Sequence, residues 1–151
     1  MRFDVATGKR LTEVELPHFR QDPATKLLLT RDIGRAAFLG HGAEIVTSGQ
    51  TEIFGWRLPG GEKRWTLPRD DGNLGMPFIA SRDERILAIS STLQDRSGKL
   101  RLYDLGTRRL LTTLDLGRDW AECASFSPDN NRLLVGLNDG TALIYDVSEI
   151  K

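Results

Sequence analysis

The chain is poor in the residues that anchor covalent, metal or proton chemistry. Among 151 residues there is one cysteine, Cys123, and two histidines, His18 and His41. A lone cysteine excludes an intramolecular disulfide, and its neighbours Ala121, Ala124 and Phe126 suggest a buried, inert thiol. The histidines lie far apart, one on a connecting segment and one in a turn between strands, so both read as solvated turn residues instead of a metal or acid–base pair. Net charge is absent too: 21 Lys+Arg balance 21 Asp+Glu, leaving no basic surface to neutralise nucleic-acid phosphates or anionic lipid. No stretch approaches the roughly 18 apolar residues of a membrane-spanning helix, and "MRFDVATGKR" is charged where a leader would be apolar. These absences point to a soluble, cytoplasmic protein that binds neither nucleic acid nor membrane.

Catalytic signatures are equally scarce. G-x-S-x-G, G-x-x-x-x-G-K-[ST], H-E-x-x-H and paired cysteines do not occur, so the sequence predicts no enzyme, no catalytic or metal-binding residues and no cofactor. "Arg69-Asp70-Asp71-Gly72-Asn73" clusters carboxylates but lacks the alternating ligand pattern and distant Glu of a calcium loop, and reads as a polar loop.

What the chain has in quantity is turns. "SFSPDNNRLLVGLNDGTALIYDVSE", residues 125–149, places a proline and short polar side chains at Ser127 to Asn131, where the backbone must reverse. A strand ending at Phe126 therefore hands over to one beginning at Arg132. Asn138-Asp139-Gly140 supplies the Asp-Gly pair that a tight primed hairpin turn prefers, making Asp139 and Gly140 structural turn residues ahead of a strand at Thr141 to Tyr145.

The same order recurs upstream. It is found in Pro77 to Ile89 with Lys99 to Asp104, and in Ala36 to Thr47 with Glu52 to Arg57; Phe3 to Lys9 matches the end of the unit alone. The aromatic residues closing these third strands, Phe3, Trp56, Tyr103 and Tyr145, are separated by 53, 47 and 42 residues. A fourth strand follows each of the first three, at Leu11 to Leu16, Lys63 to Leu67 and Leu110 to Leu116. Four strands per repeat of roughly 40–45 residues, with an aromatic-Asp pair ending the third, describe a propeller blade. The expected fold is an all-β partial β-propeller of about three four-stranded antiparallel blades, a single segment over residues 1–151 with blade units near 36–67, 77–116 and 123–147 and a stray fourth strand at 11–16.

At these residues the chain resembles the WD-repeat β-propeller family, most closely over Cys123 to Val147. Tyr103-Asp104, Tyr145-Asp146 and Phe3-Asp4 stand where the family has Trp-Asp, while Trp56 is followed by Arg57. The family joins a Gly-His pair, a second-strand Ser or Thr, the turn Asp and the third-strand Trp in a buried hydrogen-bonded set. Here Thr47 and Trp56 keep two members, whereas Val135 and Tyr145 replace them in the last repeat, whose stability must come from apolar packing between blades. Three blades alone do not close a ring, so either a second copy or the remainder of a longer propeller completes it. One form of the homo-oligomer pairs Leu11 to Leu16 with the strand ending at Tyr145 of another copy.

The resemblance implies a non-catalytic scaffold that binds protein partners through loops on one face; the alternative is an accessory propeller of a larger enzyme or regulatory protein whose chemistry lies elsewhere. Loops joining a fourth strand to the next blade, and second strands to third, emerge on one face of a propeller. Arg118, Asp119 and Trp120 occupy one such loop, and Gln94, Asp95 and Arg96 another. Trp and Arg are the commonest hot-spot residues, which makes Trp120 the leading partner anchor; its other reading is a ring tucked between blades beside Cys123. Trp65 reads as packing on an outer sheet edge.

Overall fold

The computed structural model describes residues 2–3, 10–12, 20–21, 28–29, 35–49, 52–68, 73–92 and 98–150. Among these there are fifteen strands, one single-turn 3-10 helix at Gly40–Gly42 and no α-helix. The chain forms two compact units, Met1–Pro68 and Arg69–Lys151.

The first unit holds two small ribbons and one full sheet. β1 (Arg2–Phe3) pairs antiparallel with β2 (Arg10–Thr12), and β3 (Arg20–Gln21) with β4 (Leu28–Leu29). β2 begins the segment expected as a stray fourth strand and is engaged by β1 of its own chain; residues 13–16 lie outside the described set. β5 (Arg35–Leu39), β6 (Glu44–Ser48), β7 (Glu52–Arg57) and β8 (Glu62–Pro68) form a four-stranded meander in sequence order. Val46, Thr47, Ser48, Ile53 and Trp56 are fully buried in it. The Trp56 indole N–H donates to Thr47 Oγ1 at 2.7 Å, so a polar pair sits inside an apolar sheet with its bond made. Trp65 on β8 lies opposite Gly55, and a Cβ on Gly55 would strike the indole ring; the glycine is the seat that lets this tryptophan lie flat on the sheet.

The second unit repeats the plan. β9 (Asn73–Ala80), β10 (Ile86–Thr92), β11 (Gly98–Asp104) and β12 (Arg109–Asp115) make a second four-stranded meander, and β13 (Ala121–Phe126), β14 (Arg132–Leu137) and β15 (Ala142–Asp146) a third with three strands. All neighbours are antiparallel. The fold is thus all-β, built from blade-like sheets of four, four and three strands, as a partial propeller requires.

Alternation makes the interior. Ile86, Ala88, Leu100 and Leu102 on one face of the second sheet pack with Ala121, Leu133, Val135 and Leu137 of the third, joined by Leu116 and Val147. Strand residues two apart share a face, so each sheet of this pair contributes one apolar row and keeps the other.

The reversals between first and second strands repeat almost atom for atom. Ser81 N–H bonds Ile86 O at 2.8 Å and Ser127 N–H bonds Arg132 O at 2.9 Å; Glu84 and Asn130 N–H donate to Ser81 and Ser127 O, both at 2.9 Å. The serine hydroxyls donate to Asp83 and Asp129 Oδ1 at 2.6 Å each, and accept from Ile86 N–H at 3.0 Å and Arg132 N–H at 2.9 Å. Leu105 N–H and Val147 N–H then bond Arg85 O and Asn131 O at 2.7 and 2.8 Å, tying the end of each third strand to the same turn. Ser127 and Asp129 fix the turn by side-chain bonds, and the Ser127 hydroxyl holds the Asp129 carboxyl below the usual carboxylate range.

Two expectations change. Gly140 has φ +86° and its N–H bonds Leu137 O at 3.2 Å, while Leu137 N–H bonds Thr141 O at 2.9 Å. Asp139 is not in the left-handed region, so the reversal is a three-residue loop ending on a left-handed glycine, not a two-residue primed turn. Cys123 is exposed instead of buried. It shares with Gly136 the face of the third sheet that packs on nothing described, and a Cβ on Gly136 would stand 2.7 Å from its sulfur.

Candidate interaction surface

The loop from β12 to β13 is short and heavily bonded. Gly117 takes φ +70°, its N–H bonds Asp115 Oδ1 at 2.8 Å, and Asp119 N–H reaches Leu116 O at 3.3 Å. Gly98, at the head of β11, exchanges two bonds with this loop: its N–H donates to Gly117 O at 3.1 Å and its carbonyl accepts from Leu116 N–H at 2.9 Å. The loop lies so close that any Cβ on Gly98 would collide with the Asp119 carbonyl. Glycine here is a requirement of close approach.

The far side of the loop is clasped by the β14–β15 turn. Asn138 Oδ1 accepts the Trp120 N–H at 2.8 Å, and Asn138 N–H donates to Trp120 O at 3.1 Å. One residue therefore satisfies both backbone groups of Trp120. Asp139 in turn holds the loop it belongs to, accepting from Thr141 N–H at 2.8 Å and Thr141 Oγ1 at 2.7 Å, and the hydroxyl bond is the larger reason its carboxyl stays below the usual range.

On this frame the Trp120 side chain is 39% exposed, and its indole N–H donates to Glu122 Oε1 at 2.7 Å. The ring is oriented by a carboxylate and open to solvent; it is not tucked between sheets beside Cys123. Arg118 is exposed and Asp119 half-buried beside it. The structure thus joins Arg118, Asp119 and Trp120 to Asn138, Asp139 and Gly140 on one edge of the unit. Gln94, Asp95 and Arg96 lie outside the described residues, as do His18 and residues 69–72 of the acidic stretch. Gly98, the first described residue after that second loop, touches the Trp120 loop directly.

Asn138, Glu122 and Gly98 carry no local sequence signal for this surface, although Asn138 stands in view as part of Asn-Asp-Gly. Its second task cannot be read locally, because its partner lies 18 residues away.

No family model matches the chain. Among the described residues no helix is long and apolar enough to cross a membrane.

Proposed function

We propose that this chain is a segment of a WD-repeat-type β-propeller acting in the cytoplasm as a non-catalytic protein-interaction scaffold, with the Gly117–Trp120 loop as its principal contact. The observation that carries this reading is the exposed Trp120 ring mounted on a backbone bonded on both sides by Asn138. Binding costs free energy wherever a loop must be ordered, and a loop already clasped at its backbone avoids much of that cost. Trp and Arg in such a setting bury a large planar area with few rotamers to freeze, which is why they dominate binding hot spots. Affinity then comes from Trp120 and Arg118 at the centre, with Asp139 and Asn138 at the rim.

The test is a quantitative comparison of proteins retained from native extract by the immobilised chain and by Trp120→Ala. A specific partner should be lost with Trp120→Ala and weakened with Asn138→Ala, while thermal stability of the tryptophan variant stays within about 0.5 kcal/mol of the parent, as for other exposed substitutions. Equal retention by both proteins, or a melting point that collapses on removing the indole, would remove Trp120 from the partner surface.

A further inference from the structure

We infer that the group held at Trp120 is an isolated arginine of the partner protein, its guanidinium laid on the indole ring and bonded to Glu122; this rests on the reading of Trp120 as the partner anchor and names the chemistry of what it anchors.

Glu122 owes its position to a break in its strand. Phe126 and Ala124 on β13 pair with Leu133 and Val135 and pack against the cluster shared with the second sheet. Plain alternation would turn Glu122 into that cluster as well. Instead the register shifts: Ala121 pairs with Leu137 and Cys123 with Gly136, which makes Glu122 the extra residue of a β-bulge. Ala121 takes the interior place, 1% exposed, and Glu122 stays in solvent. Kept out of the interior, its carboxylate is free to accept the Trp120 indole N–H through Oε1.

That bond decides what the tryptophan can still offer a partner. Its one donor is occupied, so the faces of the ring remain, and a face carries the negative side of the aromatic quadrupole. The carboxylate at the ring edge adds negative potential to it. Tryptophan is the best of the aromatic side chains at attracting a cation. The chain makes one such contact internally, with Lys63 Nζ 5.6 Å from the Phe54 ring centroid. Among the described residues no cation lies over Trp120.

The neighbouring charges choose the occupant. Asp115 and Asp139 are answered inside the fold, by Gly117 N–H and by Thr141 N–H and Oγ1. Among the described residues no cation pairs with Asp119 or Glu122, and the Asp119 carboxylate accepts no hydrogen bond. An apolar group covering Trp120 would strip water from these two carboxylates and return nothing, whereas a cation answers them. Arginine suits the place better than lysine, because its plane stacks on an aromatic face while its fork of donors reaches a carboxylate. A quaternary ammonium has no N–H for Glu122 and is held by a cage of several rings. Arg118, exposed two residues before the ring, opposes a run of basic residues, so a single arginine is the match.

The probe is the end-blocked peptide Gly-Ser-Arg-Ser-Gly, titrated into the full chain in the millimolar range beside the same peptide carrying citrulline, which keeps the shape of arginine without its charge. Binding is read by nuclear magnetic resonance at the Trp120 indole N–H and the Glu122 amide. We expect a saturable shift with the arginine peptide and about tenfold weaker binding of the citrulline peptide. Glu122→Gln keeps the size and an acceptor oxygen but removes the charge; it should weaken the arginine peptide by about tenfold and leave the citrulline peptide unchanged. Trp120→Leu keeps apolar area without a ring and should cancel the preference for arginine, read at the Glu122 amide. Absence of saturation, or equal affinity of the parent chain for the two peptides, would overturn the assignment, and neither result depends on a variant folding. So would self-association that the arginine peptide reverses, since the arginine would then come from a second copy. In the extract comparison, a partner lost with Trp120→Ala but fully retained by Glu122→Gln leaves the anchor in place and removes the arginine. A partner retained by both variants removes the anchor itself.

Discussion

Thr47 and Trp56 in the β5–β8 sheet occupy the places that Val135 and Tyr145 hold in the β13–β15 sheet. The first pair is buried and joined by a 2.7 Å hydrogen bond; in the second, Val135 is buried without a polar group and Tyr145 is half-buried against the apolar cluster shared with the neighbouring sheet. Burial raises the Tyr145 hydroxyl above its ordinary pKa, and the Asp115 carboxylate adds to the effect. One strand plan thus tolerates two interior chemistries. Removing one member of the polar pair leaves the other short of its partner, at a cost of about 1–3 kcal/mol.

The comparison breaks most visibly in the apolar sheet. Leu133 is fully buried in the cluster between the second and third sheets, and Leu133→Ala removes methyl groups from a packed site that cannot collapse freely. The expected loss is about 2–5 kcal/mol, read as a fall in the urea midpoint at unchanged slope. A loss under about 1 kcal/mol would mean that the two sheets do not share a close-packed core.

The polar sheet should respond to a smaller, purely chemical change. Thr47→Val keeps the shape and deletes the oxygen that accepts the Trp56 N–H, for an expected loss of about 1–3 kcal/mol. The reciprocal Val135→Thr adds a hydroxyl to a site that has no indole and should also destabilise. Equilibrium unfolding of both variants checks the pair. If Thr47→Val is neutral, the hydrogen bond does not distinguish the sheets.

The two regions also differ in how far they are legible in the sequence. The first reversals of the second and third sheets follow from turn chemistry, because Ser-Arg-Asp-Glu-Arg and Ser-Pro-Asp-Asn-Asn bond their own backbones and so announce themselves locally. The Thr47–Trp56 bond is legible only through the resemblance to the WD-repeat pattern, which marks both positions. Cys123 departs from its expected burial for a reason of packing: its neighbours are apolar, but the face it occupies has no following sheet among the described residues, and burial depends on what lies opposite. The Asp139-Gly140 loop falls where expected but is of a different type, because Asp-Gly suits several turns and loop length decides among them. The Asn138 clasp on Trp120 needs a neighbour from another hairpin, which local patterns cannot supply.

That loop gives a third prediction. Gly140 stands at φ +86° with nothing within 4 Å of where a Cβ would project, so Gly140→Ala meets no neighbour and pays only for its backbone. The cost should be about 1–2 kcal/mol. Because Asn138 sits in the same turn, the Trp120 amide should also lose hydrogen-exchange protection in this variant. Protection equal to the parent would show that the turn and the Trp120 loop are not coupled.

The smallest effect compares the paired turns themselves. Glu84 and Asn130 occupy the same left-handed position, at φ 58° and 59°. Asparagine tolerates that region better than glutamate. Asn130 has a second role, since its Oδ1 accepts the Arg82 N–H at 2.9 Å and links the turn of the third sheet to that of the second. The exchange of residues is therefore asymmetric. Glu84→Asn relieves backbone strain and should raise stability by about 0.5 kcal/mol, while Asn130→Glu both restores the strain and breaks the link, and should lower it by about 1–2 kcal/mol. The double exchange should then come out net destabilising. Thermal melts of the two single variants and the double variant give the test: equal and opposite single effects would mean that the Arg82–Asn130 bond contributes nothing, leaving backbone conformation as the only difference between the turns.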